Sequence, residues 1–359
     1  ALDLMQRFVP ALKQEMTLAV AELSRFDTVY IGGGTPSLLK AARIDEIIDT
    51  AQRLFPIMPA AEITIEVNPG TVTAAELKNY RNVGVNRINI GVQSFQDKNL
   101  KFLGRIHTAQ EALKAFKMTR RAGFNNIGLD LIYAIPGQTK TSWLRDMETA
   151  IALEPEHLSA YTLTYEPGTP IYANLEAKRF APLTDRSVAE MIETTVSYLT
   201  GQGYIHYEIS NFARSSETRS KHNQKYWSHI PYIGFGPSAH SFVKNKRSWN
   251  YSDTERYIDE VESGVLPLEG QEILTEEQRL IETICLGLRK SEGIDLNRFQ
   301  AVFGKTLMVK LDEVIGPLRE KGYIADTPGR WALTQKGMLR HESITQYIIN
   351  PKFQAPNSK

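Results

Sequence analysis

Five apolar runs in the first half of the chain each end in residues that could contact a ligand. In chain order these residues are Gly33, Gly34 and Thr35, then Glu66 and Asn68, Gln93 and Ser94, Asp130 and the run 164–166. The strands of a parallel sheet are covered on both faces, so polar side chains at their carboxyl ends have no packing role, and these ends meet at one edge. Any one residue could be a structural hydrogen-bonding group, but the complete set predicts one ligand site.

Arg105 adds a positive charge near this set. It lies in the sequence LGRIH, on the loop or first turn after the third apolar run. A guanidinium group binds a carboxylate through two parallel N–H donors, so Arg105 could pair with a carboxylate of the ligand. The alternative is a solvated surface charge.

The glycine run 32–34 could bring a ligand against the backbone, because glycine has no side chain. A simple tight turn would use the same residues. The run lacks the Gly-x-x-x-x-Gly-Lys-Ser/Thr spacing of a phosphate-binding loop. It also fits a dinucleotide-binding fingerprint poorly, since Ser37 replaces the third glycine and the acidic residue expected about 20 positions later would fall in the helical pattern RIDEIID.

Short apolar runs alternate with amphipathic stretches of helical length from about residue 28 to residue 168, which predicts repeated βα units and a parallel sheet. The predicted strands are TVYIGG, EITIEVNP, RINIGVQS, NIGLDLIYAIP and HLSAYTLTYEP. The predicted helices between them are RIDEIIDTAQRLF, TAAELKNYRNVG, AQEALKAFKMTRRAG and KTSWLRDMETAIALEP. A strand before the first helix would make six, so we expect an α/β fold with a partial (β/α)6 barrel whose first strand lies upstream of residue 1.

The pattern changes after residue 168, and we predict three parts. Residues 1–172 form the partial barrel, and residues 173–255 form an α/β extension that contains the sequence HNQKYW. Residues 256–359 form a mostly helical domain whose sequence LDEVIGPLREKGYIADTPGRWALTQKGMLR indicates a winged-helix-like helix, strand, turn and strand.

The composition excludes some classes of function. Lys and Arg total 42 and Asp and Glu total 41, so long-range attraction to nucleic acid is not built into the chain as a whole. No run reaches the ~18 apolar residues of a membrane-spanning helix, and no signal segment opens the sequence. We therefore expect a cytoplasmic protein. The single cysteine, Cys285, lies in an apolar helical pattern and is predicted to be a small buried side chain.

The ordered set GGGTP, EVNP, GVQSF with GRIH behind it, DLIYAIPGQT and HNQKYW resembles the HemW haem-chaperone family. This family is a branch of the radical S-adenosylmethionine (SAM) superfamily and is close kin of oxygen-independent coproporphyrinogen III oxidase. The match covers nearly the whole chain, and the order and spacing of the motifs are more specific than any one of them. The resemblance implies a radical SAM-type barrel.

Carried over position by position, the resemblance implies a SAM site. Gly33, Gly34 and Thr35 would hold the methionine end of SAM. The remaining polar groups, including the ribose and the carboxylate, would be contacted by Glu66, Gln93, Arg105 and Asp130. A zwitterionic amino acid and a ribose diol need acceptors, donors and one cation that converge from several strands.

The sequence departs from the family at the iron–sulfur cluster. The family binds a [4Fe-4S] cluster through a Cys-x-x-x-Cys-x-x-Cys loop after its first strand, and this chain has only Cys285. We therefore expect no metal ligands for a cluster among these residues. Because the strand that should precede the loop is also absent, we expect the cluster only if an upstream segment carries the loop.

The resemblance also implies haem binding at His222 in HNQKYW, which is similar to the HNxxYW motif of the family. Imidazole is a common axial ligand of haem iron, and Tyr226 and Trp227 offer flat surfaces for a porphyrin. A lone histidine is more often a surface or core residue, so this assignment depends on the motif. His240, in PSAHSF, is a second candidate for haem binding, but we expect it to be structural.

These features predict a haem chaperone that binds haem and passes it to a recipient haemoprotein, such as a respiratory-chain enzyme. SAM and the cluster would support this role, which requires no catalysis. The alternative is an oxygen-independent coproporphyrinogen III oxidase, against which HNQKYW argues. A third hypothesis treats the C-terminal domain as a nucleic-acid module, and the net charge of +1 gives it little support. The chaperone hypothesis leaves peripheral contact with a membrane open.

Overall fold

A seven-stranded sheet forms the centre of the described structure. The computed structural model describes residues 2–19 and 25–350. The strands are β1 (Phe26–Ile31), β2 (Ile57–Val67), β3 (Arg87–Gln93), β4 (Ile127–Tyr133), β5 (His157–Thr162), β6 (Ile205–His206) and β7 (Asn211–Ala213). Their order is β1-β2-β3-β4-β5-β7-β6, with β1 to β5 parallel and β7 antiparallel to its two neighbours. The five predicted parallel strands are confirmed.

Helices alternate with the parallel strands, as predicted. They are α1 (Leu2–Leu18), α2 (Ala41–Leu54), α3 (Ala74–Asn82), α4 (Asp97–Phe102), α5 (Ala109–Arg121), α6 (Lys140–Ala152), α7 (Pro170–Glu176), α8 (Asp185–Gly201) and α9 (Lys221–Tyr226). The N-terminal amides of α3, α5 and α6 are satisfied by capping boxes at Thr73, Thr108 and Thr139, which fixes where each helix begins. Among the described residues the sheet is open, with β1 and β6 at its edges.

One face of the sheet forms the hydrophobic core against these helices. The side chains of Ile65, Ile88, Ile90 and Leu129 are completely buried there, together with Trp143 of α6. Burial of apolar area on this scale is the main force that holds the helices on the sheet. The other face is polar and carries the candidate site.

The rest of the described chain adds two smaller sheets and six helices. The elements are β8 (His240–Val243), β9 (Lys246–Asn250), α10 (Thr254–Glu262), β10 (Leu268–Ile273), α11 (Glu276–Arg289), β11 (Ile294–Asp295), α12 (Leu296–Phe303), α13 (Lys305–Glu320), β12 (Arg330–Trp331), α14 (Gln335–Met338) and α15 (His341–Ile349). The predicted winged-helix-like segment begins with α13. The strands that accompany it are short: β12 pairs with β11, which precedes α13, and Ile324 forms a single bridge with Leu333.

The predicted division into three parts stays a prediction, although the structure adds two facts to it. The main sheet continues past residue 172, because β6 and β7 complete it. Residues between Leu280 and Ile348 form a separate hydrophobic core. No helix in the described part of the chain combines the length and the apolar character needed to cross a bilayer.

Glu15 joins α1 to segments more than 200 residues away. Its carboxylate accepts hydrogen bonds from Tyr257 Oη (2.5 Å), Asn250 Nδ2 (2.6 Å) and the backbone N–H of Gly236 (2.9 Å). The side chain is buried, and this burial raises its pKa. A buried carboxylate is tolerated when its lone pairs are satisfied in this way, so Glu15 fixes the region around β9 and α10 on the N-terminal helix.

We predict that Glu15→Ala lowers the free energy of unfolding by about 2–4 kcal/mol, because three buried donors lose their acceptor. Urea unfolding followed by circular dichroism measures the change. Asp45→Ala, at an exposed position on α2, is the matched control and should stay within about 0.5 kcal/mol of the wild type. Equal losses in the two variants would contradict the role given to Glu15.

Candidate ligand site on the polar face of the main sheet

The candidate residues lie on a sheet face that is polar along the whole length of the strands. Alternate residues of the central strands point to this face, and they include Thr64, Arg87, Asn89, Asp130, His157, Ser159 and Tyr161. Asp130 was predicted from the sequence, whereas the other interior positions were not, because the predicted residues otherwise lie at strand ends. The signal was present as strict alternation in EITIEV and RINIGVQ, because a parallel strand covered by apolar layers on both faces would be apolar throughout.

Three side chains converge above Gly91 in β3. A Cβ atom placed on this glycine would lie 3.0 Å from Gln93 Nε2, 3.1 Å from Asn68 Oδ1 and 3.4 Å from Arg105 Nη2. Arg105 also donates to Asn68 Oδ1 and to the carbonyl of Gly91, and Asn68 Nδ2 donates to Thr35 Oγ1 (3.1 Å). The rim residues predicted from three different strands are therefore adjacent in space.

Asp130 and Glu66 bring two carboxyl groups to the same region. Asp130 accepts a hydrogen bond from Asn89 Nδ2 (2.6 Å) through Oδ2, while its buried Oδ1 has no well-aligned partner among the described residues. Burial raises the pKa of Asp130. The nearby hydroxyls of Tyr161 and Ser159 act in the opposite direction, but their effect is smaller, so the pKa remains raised. Glu66 accepts a hydrogen bond of 2.5 Å from the Tyr30 hydroxyl.

The loop after β1 leaves its backbone open. Gly33 and Gly34 have φ angles of 77° and 45°, a conformation that favours glycine. Apart from the adjoining residues of the loop, no atom of the described chain lies within 4 Å of a Cβ placed on either residue. Gly32 differs, because a Cβ there would lie 2.6 Å from the Tyr30 ring and 3.1 Å from the Glu66 carboxylate.

The residues of this rim fit the groups of SAM. The rim offers carboxylates at Glu66 and Asp130, the buried and unpartnered Oε1 of Gln93, and one cation at Arg105. Burial lowers the pKa of Arg105, but arginine stays protonated in proteins. Acceptors for a ribose diol, a cation for a carboxylate and open glycine backbone are the requirements of a zwitterionic nucleoside ligand. The assignment of SAM to these residues stays a prediction.

Two rim positions predicted from the sequence lie elsewhere. Ser94 is completely buried and donates to Asp146 Oδ2 (2.7 Å) of α6, so it ties β3 to a helix on the apolar side. Glu166 is exposed beyond the end of β5, and Tyr165 packs against Phe180. The contribution of β5 to the polar face comes instead from Ser159 and Tyr161, which lie within the strand.

His222 lies against β1, next to this rim. Its ring stacks on Tyr30 with centroids 4.7 Å apart and an interplanar angle of 18°. Its Nδ1 atom is hydrogen-bonded to Thr28 Oγ1 (3.1 Å) and its Nε2 atom to Tyr226 Oη (2.8 Å). Burial, followed by the charges of Lys225 and Arg87, lowers the pKa of His222 to about 4, so the imidazole is neutral near pH 7.

The short helix α9 that carries His222 is fixed at both ends. The backbone N–H groups of Lys221 and His222 donate to the buried carboxylate of Glu62 in β2 (3.2 and 3.1 Å). Lys225 Nζ forms an ion pair of 2.6 Å with Asp27 in β1. The position of the imidazole is therefore set by strands β1 and β2 as well as by its own helix.

The two aromatic residues that follow His222 do not form one surface. Tyr226 is 40% exposed and packs edge-on against Tyr232. Trp227 packs against Tyr207 and the Arg289 guanidinium instead. Of these two aromatic residues, only Tyr226 therefore contacts the imidazole of His222. His240, predicted to be structural, is exposed and stacks on Trp249.

The residues of the chain do not fit an iron–sulfur cluster. Cys285, the one cysteine of the sequence, lies in α11 of the C-terminal region, and burial raises its pKa. No group of three or more His, Cys, Asp or Glu side chains in the described part of the chain is placed to hold a metal ion. Iron–sulfur clusters are held mainly by thiolates, and one cysteine does not supply them.

The chain is similar to several known proteins. The family model described as Radical SAM superfamily matches residues 6–150, and the HemN C-terminal domain matches residues 274–340. The chain is 36% identical to the haem chaperone HemW of Bacillus subtilis over 92% of this chain and 88% of the relative. It is 34% identical to the haem chaperone HemW of Escherichia coli over 92% and 86% of the two chains.

The fold is also similar to that of a solved structure. Coproporphyrinogen III oxidase (HemN) from Escherichia coli, a radical SAM enzyme, aligns with a TM-score of 0.80 and 21% identity, covering 96% of this chain and 83% of that one. At this identity the likeness concerns the fold alone. The match confirms the radical SAM-type α/β fold predicted from the sequence.

We predict that Gly91→Ala weakens SAM binding about tenfold or more, because the new methyl group would displace Gln93, Asn68 and Arg105 from their common position. Equilibrium dialysis with labelled SAM measures the affinity. Gly316→Ala, in α13 where a Cβ meets no atom within 4 Å, is the control and should bind SAM like the wild type. Unchanged binding in Gly91→Ala would show that SAM does not lie against this part of β3.

Proposed function

Because the chain belongs to the HemW family of the radical SAM superfamily, we propose that it binds haem and delivers it to recipient haemoproteins. The curated relatives at 32–36% identity that carry the haem chaperone name support this function. The recipient is a haemoprotein such as a respiratory-chain enzyme, and the protein acts in the cytoplasm or in peripheral contact with a membrane.

The observation that carries the proposal is that the buried imidazole of His222 is neutral and is held in place by hydrogen bonds at both ring nitrogens. A neutral imidazole is the form that binds haem iron, and the pKa of about 4 keeps His222 neutral at physiological pH. Its Nε2 atom is hydrogen-bonded to the half-exposed Tyr226 hydroxyl. Haem would take the place of this hydroxyl at Nε2, while Thr28 keeps Nδ1 in place.

The rim above β3 is proposed to hold SAM in the same protein. Gly33, Gly34 and Thr35 bind the methionine end, Arg105 pairs with the carboxylate, and Glu66, Gln93 and Asp130 accept hydrogen bonds from the remaining groups. In the radical SAM superfamily a [4Fe-4S] cluster supplies the reducing electron, and we propose that it is bound by cysteines outside these 359 residues.

We predict that His222→Ala weakens haem binding at least about tenfold, the factor that corresponds to a loss of about 1.4 kcal/mol. Titration with haem, followed at the Soret band, measures the affinity. His240→Ala is the matched control, because His240 is exposed and lies on β8, which pairs with β9 outside the main sheet. Unchanged affinity in His222→Ala would remove the haem-ligand assignment.

A second assay tests the chaperone function against the enzymatic alternative. The cluster-loaded protein, with any upstream segment included, is incubated with coproporphyrinogen III and SAM. We expect no protoporphyrinogen, because haem delivery requires no decarboxylation. Formation of protoporphyrinogen would assign the protein to the oxidase side of the family.

We further predict that the 359-residue chain gains no [4Fe-4S] absorption after anaerobic reconstitution with iron and sulfide, since it has one cysteine. A chain extended upstream with a Cys-x-x-x-Cys-x-x-Cys loop should gain it. Absorption spectroscopy and iron analysis of the two proteins make the comparison. A cluster on the shorter chain would contradict the expected location of its ligands.

A further inference from the structure

Tyr30 contacts both proposed sites. Its ring stacks on His222 with centroids 4.7 Å apart, and its hydroxyl donates to Glu66 Oε1 at 2.5 Å. One side chain thus joins the residue proposed to bind haem iron to a residue proposed to bind SAM. The HemW resemblance assigns no role to Tyr30.

The ring of Tyr30 contacts the Gly32 backbone as well as His222. A Cβ on Gly32 would lie 2.6 Å from the ring, so the glycine backbone packs directly against it. Burial and the Glu66 charge both raise the pKa of Tyr30, so the phenol stays protonated and donates its hydrogen to the carboxylate. A hydrogen bond to a charged acceptor is about twice as strong as one between neutral groups.

Haem binding would make His222 depend more on Tyr30. In the described structure the imidazole is positioned by Thr28 at Nδ1, by Tyr226 at Nε2 and by the ring of Tyr30. When Nε2 binds iron it loses Tyr226. The Thr28 hydrogen bond and the Tyr30 stack then hold the ring, and the position of Tyr30 is set by Glu66.

We propose that Tyr30 is a positioning residue that couples Glu66 in the SAM site to His222 in the haem site. The inference rests on the proposed function. A ligand that immobilises Glu66 immobilises Tyr30 as well, so haem binding then costs less ordering of His222. Linkage is reciprocal, and SAM and haem therefore strengthen each other's binding by the same factor.

A double-mutant cycle on haem affinity tests the coupling without bound SAM. Tyr30→Phe keeps the stacked ring and removes the hydroxyl, and Glu66→Met removes the acceptor. Haem affinity is measured from the Soret band for the wild type, the two single variants and the double variant. Glu66→Gln keeps an oxygen that accepts the Tyr30 hydrogen bond while it removes the charge.

We expect each single variant to weaken haem binding about three- to tenfold, and the double variant to weaken it no further, because one hydrogen bond is lost in all three. Glu66→Gln should restore most of the affinity. If Tyr30 and Glu66 only stabilised the fold, haem affinity would not be restored by Glu66→Gln, and the effects of the two single variants on haem affinity would not be non-additive. Tyr172→Phe on α7 and Glu193→Met, at an exposed position on α8, should bind haem like the wild type.

Two results would overturn the coupling: additive effects in the double variant, or wild-type haem affinity in Glu66→Met. The proposed function is tested separately by His222→Ala. If His222→Ala loses haem while Tyr30→Phe and Glu66→Met keep it, the haem site stands and the coupling is wrong. If His222→Ala binds haem normally, the haem assignment is wrong whatever the cycle gives.

Discussion

The polar face of the main sheet is the constraint on which the rest of the structure depends. A parallel sheet usually buries both faces in apolar layers, whereas here one face carries Arg87, Asn89, Asp130 and His157, all in positions that exclude most water. Such groups are costly unless they are paired. Each pairing therefore has a structural consequence. Asn89 orients Asp130, and His157 is hydrogen-bonded to Tyr207, which in turn accepts the backbone N–H of Ser220 at the start of α9.

Much of this arrangement could be predicted from the sequence, because it follows from periodicity. Apolar runs of strand length, separated by helical patterns, gave the five parallel strands and placed Glu66, Gln93 and Asp130 on one side. The interior residues Arg87 and His157 were not predicted, because strands of a parallel sheet are expected to be apolar on both faces except at their ends. Ser94 was assigned to the rim wrongly, because a side chain just past a strand end can turn towards either layer, and Asp146 is its partner.

The relation between the two proposed sites could not be predicted in this way. Thr28 and His222 are hydrogen-bonded although 194 residues separate them, and no periodic pattern connects them. The contact depends on Glu62, a strand residue that satisfies the first amides of α9, and on the ion pair between Lys225 and Asp27. Tertiary contacts of this kind determine where a short helix docks, and the helix has too few residues to form stably alone.

The long sequence separation between β1 and α9 has a consequence for synthesis on the ribosome. At about 5–20 residues per second, the 194 residues between Thr28 and His222 take about 10–40 s to make. Only towards the end of this interval, once Thr162 has been added, does the nascent chain contain β1 to β5, and with them Glu66, Gln93 and Asp130, but it still lacks the imidazole. A growing polypeptide can thus contain the whole rim proposed to bind SAM before it contains the residue proposed to bind haem iron.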